Sequence, residues 1–201
     1  MSEVDKLTEL FTRFPGIGPR QARRFVFFLL RQDAGYRNTL TRAIQDIAAN
    51  IRQCSLCLRY AQLQAKEPIC DICANSGRSK SELMIVEKDT DVEQMEKSGA
   101  YSGQYFVLGD TLSLTGKKSF IREKELASYL KKHGDELEEI ILALSATPDG
   151  EYTTEHLALK LEEGTSIKNA KVTVLGRGLS TGSELEYADT RTLEHALKNR
   201  A

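Results

Sequence analysis

Cys54-Ser55-Leu56-Cys57, then twelve residues, then Cys70-Asp71-Ile72-Cys73: this stretch holds all 4 cysteines of the 201-residue chain. It supplies two thiol pairs a short loop apart, the arrangement that tetrahedral Zn²⁺ takes. One structural zinc per chain is therefore expected. Four sulfur ligands leave no open coordination position, so such a zinc folds the chain and does not activate water. Two disulfides are the alternative. They need an oxidising compartment, and Met1 is followed by no apolar signal segment. A redox pair would leave the second C-x-x-C unexplained.

The sequence changes character on either side of the cysteines. Upstream, from Val4 to Ile51, apolar residues recur with helical period. Val4, Leu7, Leu10, Phe11 and Phe14 form one stripe; Ala22, Phe25, Val26, Leu29 and Leu30 a second; Leu40, Ile44, Ile47, Ala48 and Ile51 a third. Downstream, from residue 82, short apolar runs read as strands: Leu83–Val86, Tyr105–Leu108, Ile140–Leu144 and Val172–Leu175. Between and after them the pattern predicts helices near 90–98, 123–133, 153–163 and 190–198. Strands alternating with helices predict an α/β domain with a mainly parallel sheet. The cysteine stretch is too short to hold itself together without metal.

Composition is ordinary for a globular protein, at 40% hydrophobic and 28% charged residues. No apolar run approaches the roughly 20 residues that span a bilayer. A soluble, cytoplasmic protein is expected. The formal charge of −1 conceals a polarity. Residues 1–60 carry ten Lys/Arg against five Asp/Glu, and the remainder carries 18 against 24. A basic segment joined to an acidic body suggests a polyanion-binding arm, and a solvated helical surface would read the same way.

Phe14-Pro15-Gly16-Ile17-Gly18-Pro19 lies between the first two helical stripes. Gly16 and Gly18 can adopt positive φ, and Pro19 suits the first turn of a helix. A tight hairpin there would aim backbone N–H groups from a helix N-terminus, a natural seat for phosphate. Arg20, Arg23, Arg24 and Arg31 follow, with Arg20, Arg24 and Arg31 near one helical face. This stretch looks like a helix-hairpin-helix, which binds DNA backbone without reading bases. Gly16, Gly18, Arg20 and Arg24 are the candidate DNA contacts; a helix pair used only for packing or dimerisation is the alternative.

Three acids draw attention downstream. Glu87 ends one strand, and Asp149 and Glu151 follow another. In open parallel sheets functional groups gather beyond the carboxyl ends of strands, so the three could converge on Mg²⁺. They could equally cap helices or face water. There is no G-x-x-x-x-G-K-[ST] loop, and His133, His156 and His195 are far apart.

In this order, a helix-hairpin-helix, a four-cysteine module and an α/β domain with Glu and Asp-x-Glu resemble the RecR family of bacterial recombination mediators. Arg177-Gly178-Leu179-Ser180-Thr181-Gly182-Ser183-Glu184-Leu185-Glu186-Tyr187-Ala188-Asp189 resembles that family's C-terminal signature, and Tyr105-Phe106-Val107-Leu108-Gly109 also matches. The likeness covers nearly the whole chain. It implies boundaries at 1–53 (helix-hairpin-helix arm), 54–73 (zinc finger), 82–178 (Toprim domain) and 179–201 (signature and last helix). It implies a DNA-repair accessory and not an enzyme. Such a protein assembles as a dimer or tetramer, forms a ring on DNA, and acts with RecO and in some contexts RecF to load RecA on single strands. Glu87, Asp149 and Glu151 would then serve partner and DNA binding. The rival class is a Mg²⁺-dependent Toprim nuclease or primase-like enzyme, with Tyr152 as the nearest nucleophile. The chain departs from the family pattern in its longer cysteine spacer around Leu63–Lys66, in Ala143–Thr147 and in Thr115–Ser119.

Overall fold

A computed structural model describes residues 1–63, 68–116, 119–163, 167, 170–176, 178, 179, 182, 184–188 and 190–198. The chain divides into two compact units, 1–52 and 53–201.

The first unit is helical: α1 (Glu3–Thr12), α2 (Pro19–Arg31) and α3 (Ala34–Asn50). Helix α1 begins at a capping box, with Ser2 accepting from the Asp5 N–H and the Asp5 carboxylate accepting from the Ser2 N–H at 3.1 Å. The hairpin divides the roles of its glycines. Gly16 has φ +75°, whereas Gly18 is extended and is the N-cap of α2, with Pro19 in the first turn. Gly18 supplies no side-chain cap, so the first N–H groups of α2 stay available to an external acceptor. Phe11 holds the helix pair, 5.9 Å from Phe14 and edge-on to Phe25 at 6.0 Å. Only Ala22 and Val26 of α2 are buried. In the third stripe Leu40 and Ile51 are half-buried, whereas Ile44 and Ile47 are each 62% exposed.

The second unit carries a four-stranded parallel sheet of order β4-β3-β5-β6, built from β3 (Glu82–Val86), β4 (Gln104–Val107), β5 (Glu139–Ala143) and β6 (Lys171–Val174). Strands β3 and β4 are buried on both faces and read as continuous apolar runs, whereas β5 alternates buried with half-buried residues and β6 has no buried residue. Alternation then sorts their side chains into two cores. Leu83, Ile85, Phe106, Leu108, Ile140 and Leu142 pack with Leu126 and Leu130 of α6 (Glu123–His133) and with Leu157 and Leu161 of α7 (Pro148–Glu163). Met84, Val86, Tyr105 and Val107 pack with Val92 of α5 (Asp89–Ser98) and with Cys54, Cys57, Cys70 and Ile72. The cysteines are thus core residues of the α/β unit. The cysteine stretch adds β1 (Ile51–Gln53) paired with β2 (Tyr60–Gln62), and a short helix α4 (Asp71–Ala74). A final helix α8 (Thr190–Lys198) follows a 3-10 turn at Leu185–Tyr187. Among the described residues no helix is long and apolar enough to cross a membrane.

The first cysteine pair has a second task. Strand β4 is an edge strand, and the Val107 N–H on its outer side donates to the Cys57 carbonyl at 2.8 Å. Arg122 Nη1 then donates to the carbonyls of Leu58 at 3.0 Å and Val107 at 2.9 Å. The knuckle therefore covers an edge that would otherwise present unpaired backbone groups. It turns through Leu58 at φ +61°, the one non-glycine residue with positive φ among those described. Leu58 packs against the α6–α7 core while Cys57 joins the opposite one, so the turn straddles the strand.

Candidate functional site: a four-cysteine cluster, a basic cleft and an acidic sheet end

Two knuckles close on one another across the sheet face. Cys54 Sγ lies 3.8 Å from Cys73 Sγ, and Cys57 Sγ lies 3.6 Å from Cys70 Sγ. All four sulfurs fall within 4.8 Å of one another. A tetrahedron with metal–sulfur bonds of ~2.3 Å has sulfur–sulfur edges of about 3.8 Å, which the two cross-knuckle separations match. The separations are far beyond a disulfide bond, and all four cysteines are unpaired thiols. Crowding makes the thiols compete for protons. Hydrogen bonding, with Cys57 first and then Cys70 and Cys73, draws Cys54 far below the ordinary thiol range. The bonds that Cys57 and Cys73 make with Cys54 push them the other way. The Cys70 N–H donates to Cys54 Sγ at 3.3 Å, the kind of backbone bond that supports a thiolate ligand. These thiols can therefore hold a metal ion, and the donor set is that of zinc.

On α2, in the first unit, Arg20, Arg23, Arg24, Phe27, Phe28 and Arg31 line a cleft of about 540 Å³. The expected contacts Arg20 and Arg24 are both exposed there. Arg24 is steadied by Gln21 Oε1 at 3.2 Å, and Arg23 lies 5.9 Å from the centre of the Phe27 ring. Phe27 and Phe28 did not belong to the apolar stripe read from the sequence. Their signal was the i,i+4 spacing of Arg23 to Phe27 and Arg24 to Phe28.

The acidic residues end up in three different circumstances. Glu87 is only 6% exposed at the end of β3, where its Oε1 meets Lys88 Nζ at 2.6 Å and Ser145 also bonds it. Burial opposes its charge, yet Lys88 and Ser145 together hold the carboxyl below its usual range. Asp149 lies on the first turn of α7, because that helix begins at Pro148 and not near residue 153. Proline at the first position and acids in the first turn explain the earlier start. Its Oδ1 accepts from the Leu114 N–H at 2.9 Å, and Thr153 Oγ1 accepts from the Leu112 N–H at 2.8 Å. The loop after β4 is thereby fastened to α7. Glu151 is half-buried on the same turn. Among the described residues, only the four cysteines bring three or more ligand atoms within 4.8 Å of one another; the three acids do not form such a group. Lys88, Ser145 and Leu114, which engage the acids, carried no sequence signal.

The turn into α7 makes one prediction. Gly150 is buried, and a Cβ there would fall 2.1 Å from the Ser145 carbonyl oxygen and 2.5 Å from Ser145 Oγ. Gly150→Ala is expected to destabilise the unit by about 1–3 kcal/mol, the usual cost of overpacking. Urea denaturation measures it, and an unchanged midpoint would contradict this packing.

The remaining candidates fall elsewhere. Tyr152 is 43% exposed on α7. His133 sits 4.8 Å from the Tyr129 ring, and His156 Nε2 faces Glu123 Oε1 at 3.4 Å. The His195 side chain lies outside the described residues, as do Arg177, Ser180, Thr181, Ser183 and Asp189 of the C-terminal signature. So do Gln64, Ala65 and Lys66 of the long spacer, and Lys117 and Lys118.

Fold and cluster together define a Toprim-domain protein with a helix-hairpin-helix arm and a four-cysteine cluster built into its sheet domain. Family models agree: a Toprim domain matches residues 81–175, the RecR helix-hairpin-helix 4–48, and the RecR C-terminal region 178–201. "Recombination protein RecR" of Cereibacter sphaeroides is 35% identical over 200 residues, spanning 98% of this chain and 96% of that protein. The Ruegeria pomeroyi protein of the same name is 37% identical over 200 residues, with the same coverage. That of Bdellovibrio bacteriovorus is 34% identical over 206 residues, spanning 100% of this chain and 97% of its own length. The chain belongs to the RecR family of recombination proteins.

Proposed function

We propose that the chain is a recombination mediator that grips DNA backbone through its helical arm and docks protein partners through its sheet domain. Full-length similarity to recombination proteins carries this reading. Gly16 and Gly18 shape the hairpin, and Arg20 and Arg24 take phosphate, supported by the uncapped α2 N-terminus and the arginine cleft beside it. Cys54, Cys57, Cys70 and Cys73 hold one zinc, whose task is to fold the sheet domain. The chain works as a homodimer or homotetramer. The exposed stripe at Ile44 and Ile47, and Leu185 and Tyr187 at 65% and 79% exposure, supply apolar surface for such contacts. RecO, and in some contexts RecF, are the partners, and loading of RecA on gapped or single-stranded DNA in the cytoplasm is the outcome. The decisive experiment follows RecA filament formation on single strands coated with single-strand-binding protein, with RecO present. Adding the chain is expected to accelerate it; no acceleration would refute the mediator role.

The acidic end of the sheet is read as a docking surface for a basic partner. It is not assigned a catalytic cation, because the carboxylates of Glu87 and Asp149 are already engaged by Lys88 and by the Leu114 N–H. Glu151→Lys is expected to weaken RecO binding with the fold intact. Glu87→Lys would instead bury an ammonium next to the exposed one of Lys88 and damage the fold, so Glu87→Gln is the suitable variant there. The protein is expected to leave plasmid and single-stranded DNA uncut, and to make no polymer from nucleoside triphosphates, in Mg²⁺. Turnover that disappears in Glu87→Gln would favour a Toprim enzyme.

A further inference from the structure

The residue two positions past the first knuckle is a half-buried arginine. Arg59 has a side chain only 17% exposed, tied at Nη2 to Asp71 Oδ1 at 2.5 Å. Asp71 is itself 77% exposed and directly follows Cys70. The Arg59 Nε is buried and, among the described residues, makes no hydrogen bond of ordinary geometry. A buried donor left unsatisfied costs free energy, and a guanidinium is always charged. Besides its partner Asp71, the Arg59 side chain reaches Cys70 as well, and its charge acts on Cys70, Asp71 and Cys57. The Arg59 backbone N–H also bonds Cys57. One residue thus reaches a ligand from each knuckle.

The charge balance gives that placement a purpose. Zn²⁺ with four thiolates carries a net charge of −2, and this cluster lies in a core where Cys54 and Cys70 are fully buried. An uncompensated dianion there would lose zinc or take up protons. We infer that Arg59 is the charge-balancing and positioning residue of the zinc site, its Nε–H donating to the Cys70 thiolate once metal is bound while Asp71 holds the other end of the guanidinium. The orphaned donor then gains an acceptor of the right charge, and because the Asp71 carboxylate is 77% exposed and screened by water, the half-buried guanidinium offsets part of the cluster's charge. This rests on reading the four cysteines as a zinc site.

The test compares Arg59→Met and Arg59→Lys with the unaltered full-length protein. Zinc affinity, measured against a competing chelator, is expected to fall about 10–100-fold in Arg59→Met, the usual effect of removing an outer partner of a metal ligand. In the Co²⁺-substituted protein the thiolate-to-metal charge-transfer band is expected to move to lower energy, because a sulfur without its hydrogen bond gives up an electron more easily. Arg59→Lys keeps the charge without the Nε donor, so it should recover part of the affinity while its band stays displaced. Should Arg59→Met fail to fold, the Arg59→Lys band decides. Unaltered affinity and spectrum would overturn the inference, as would a loss of affinity with an unmoved band, which marks mere packing. A parent protein that takes up neither zinc nor cobalt would defeat the metal reading itself; one equivalent bound, with indistinguishable variants, would defeat only the role of Arg59.

Discussion

Stripping the metal, or changing Cys70 to Ser, is expected to lower the melting temperature of the sheet domain by roughly 8–16 °C. That range corresponds to a loss of about 4 kcal/mol in a protein of this size. The expectation comes from where the cysteines lie. Cys54 and Cys70 are fully buried and Cys57 nearly so, in the same core as Met84, Val86, Tyr105 and Val107. Four thiols within 4.8 Å of one another without a cation cannot all be satisfied at once. Their relaxation would loosen the core and release the knuckle from Val107, exposing the β4 edge. Self-association of the metal-free form is therefore expected beside its lower stability. Thermal melts followed by circular dichroism, with metal content measured in the same sample, provide the check. A preparation shown to be metal-free that melts and sediments like the parent would refute a structural zinc.

Replacing Arg20 and Arg24 together by Ala is expected to weaken DNA binding by ~10²-fold or more at low salt. Charge-assisted hydrogen bonds contribute about 1.5–3 kcal/mol each, and each ~1.4 kcal/mol is a factor of ten. The loss should be alike for unrelated sequences, because phosphate contacts carry no base information. The magnitude of the salt slope should fall by roughly 0.7–0.9 for each contact removed. Neither arginine is buried and neither anchors the helix pair, which is held by Phe11, Phe14 and Phe25, so the arm should stay folded. Arg23 and Arg31 remain in the cleft and should leave residual binding. Fluorescence anisotropy over a salt series measures both quantities. Undiminished affinity would assign the basic helix to assembly of the oligomer.

Features set by neighbours in sequence were legible without coordinates. The strand runs beginning at Leu83, Tyr105, Ile140 and Val172 each lie within a residue of the observed strands, because short runs rich in apolar and β-branched residues favour strand; only β3 and β4 are buried on both faces. The two C-x-x-C pairs announced their cluster, since covalent spacing alone brings each pair of sulfurs together. Gly16 and Pro19 marked the hairpin through their own backbone constraints. What the sequence left undecided involves partners that no period or spacing links. Leu114 and Asp149 are 35 residues apart, and their hydrogen bond turns a presumptive ligand into a loop anchor. Glu87 is paired with its own neighbour Lys88, but only burial at the strand end makes that pairing consequential. The contact of Cys57 with Val107 spans the step from knuckle to sheet and puts the cysteines inside the core. Local chemistry therefore determined the elements and the ligand set. Tertiary packing decided which charges are buried, and so which side chains remain available for partners and which are spent holding the fold, because desolvation depends on everything that surrounds a group and not on its place in the chain.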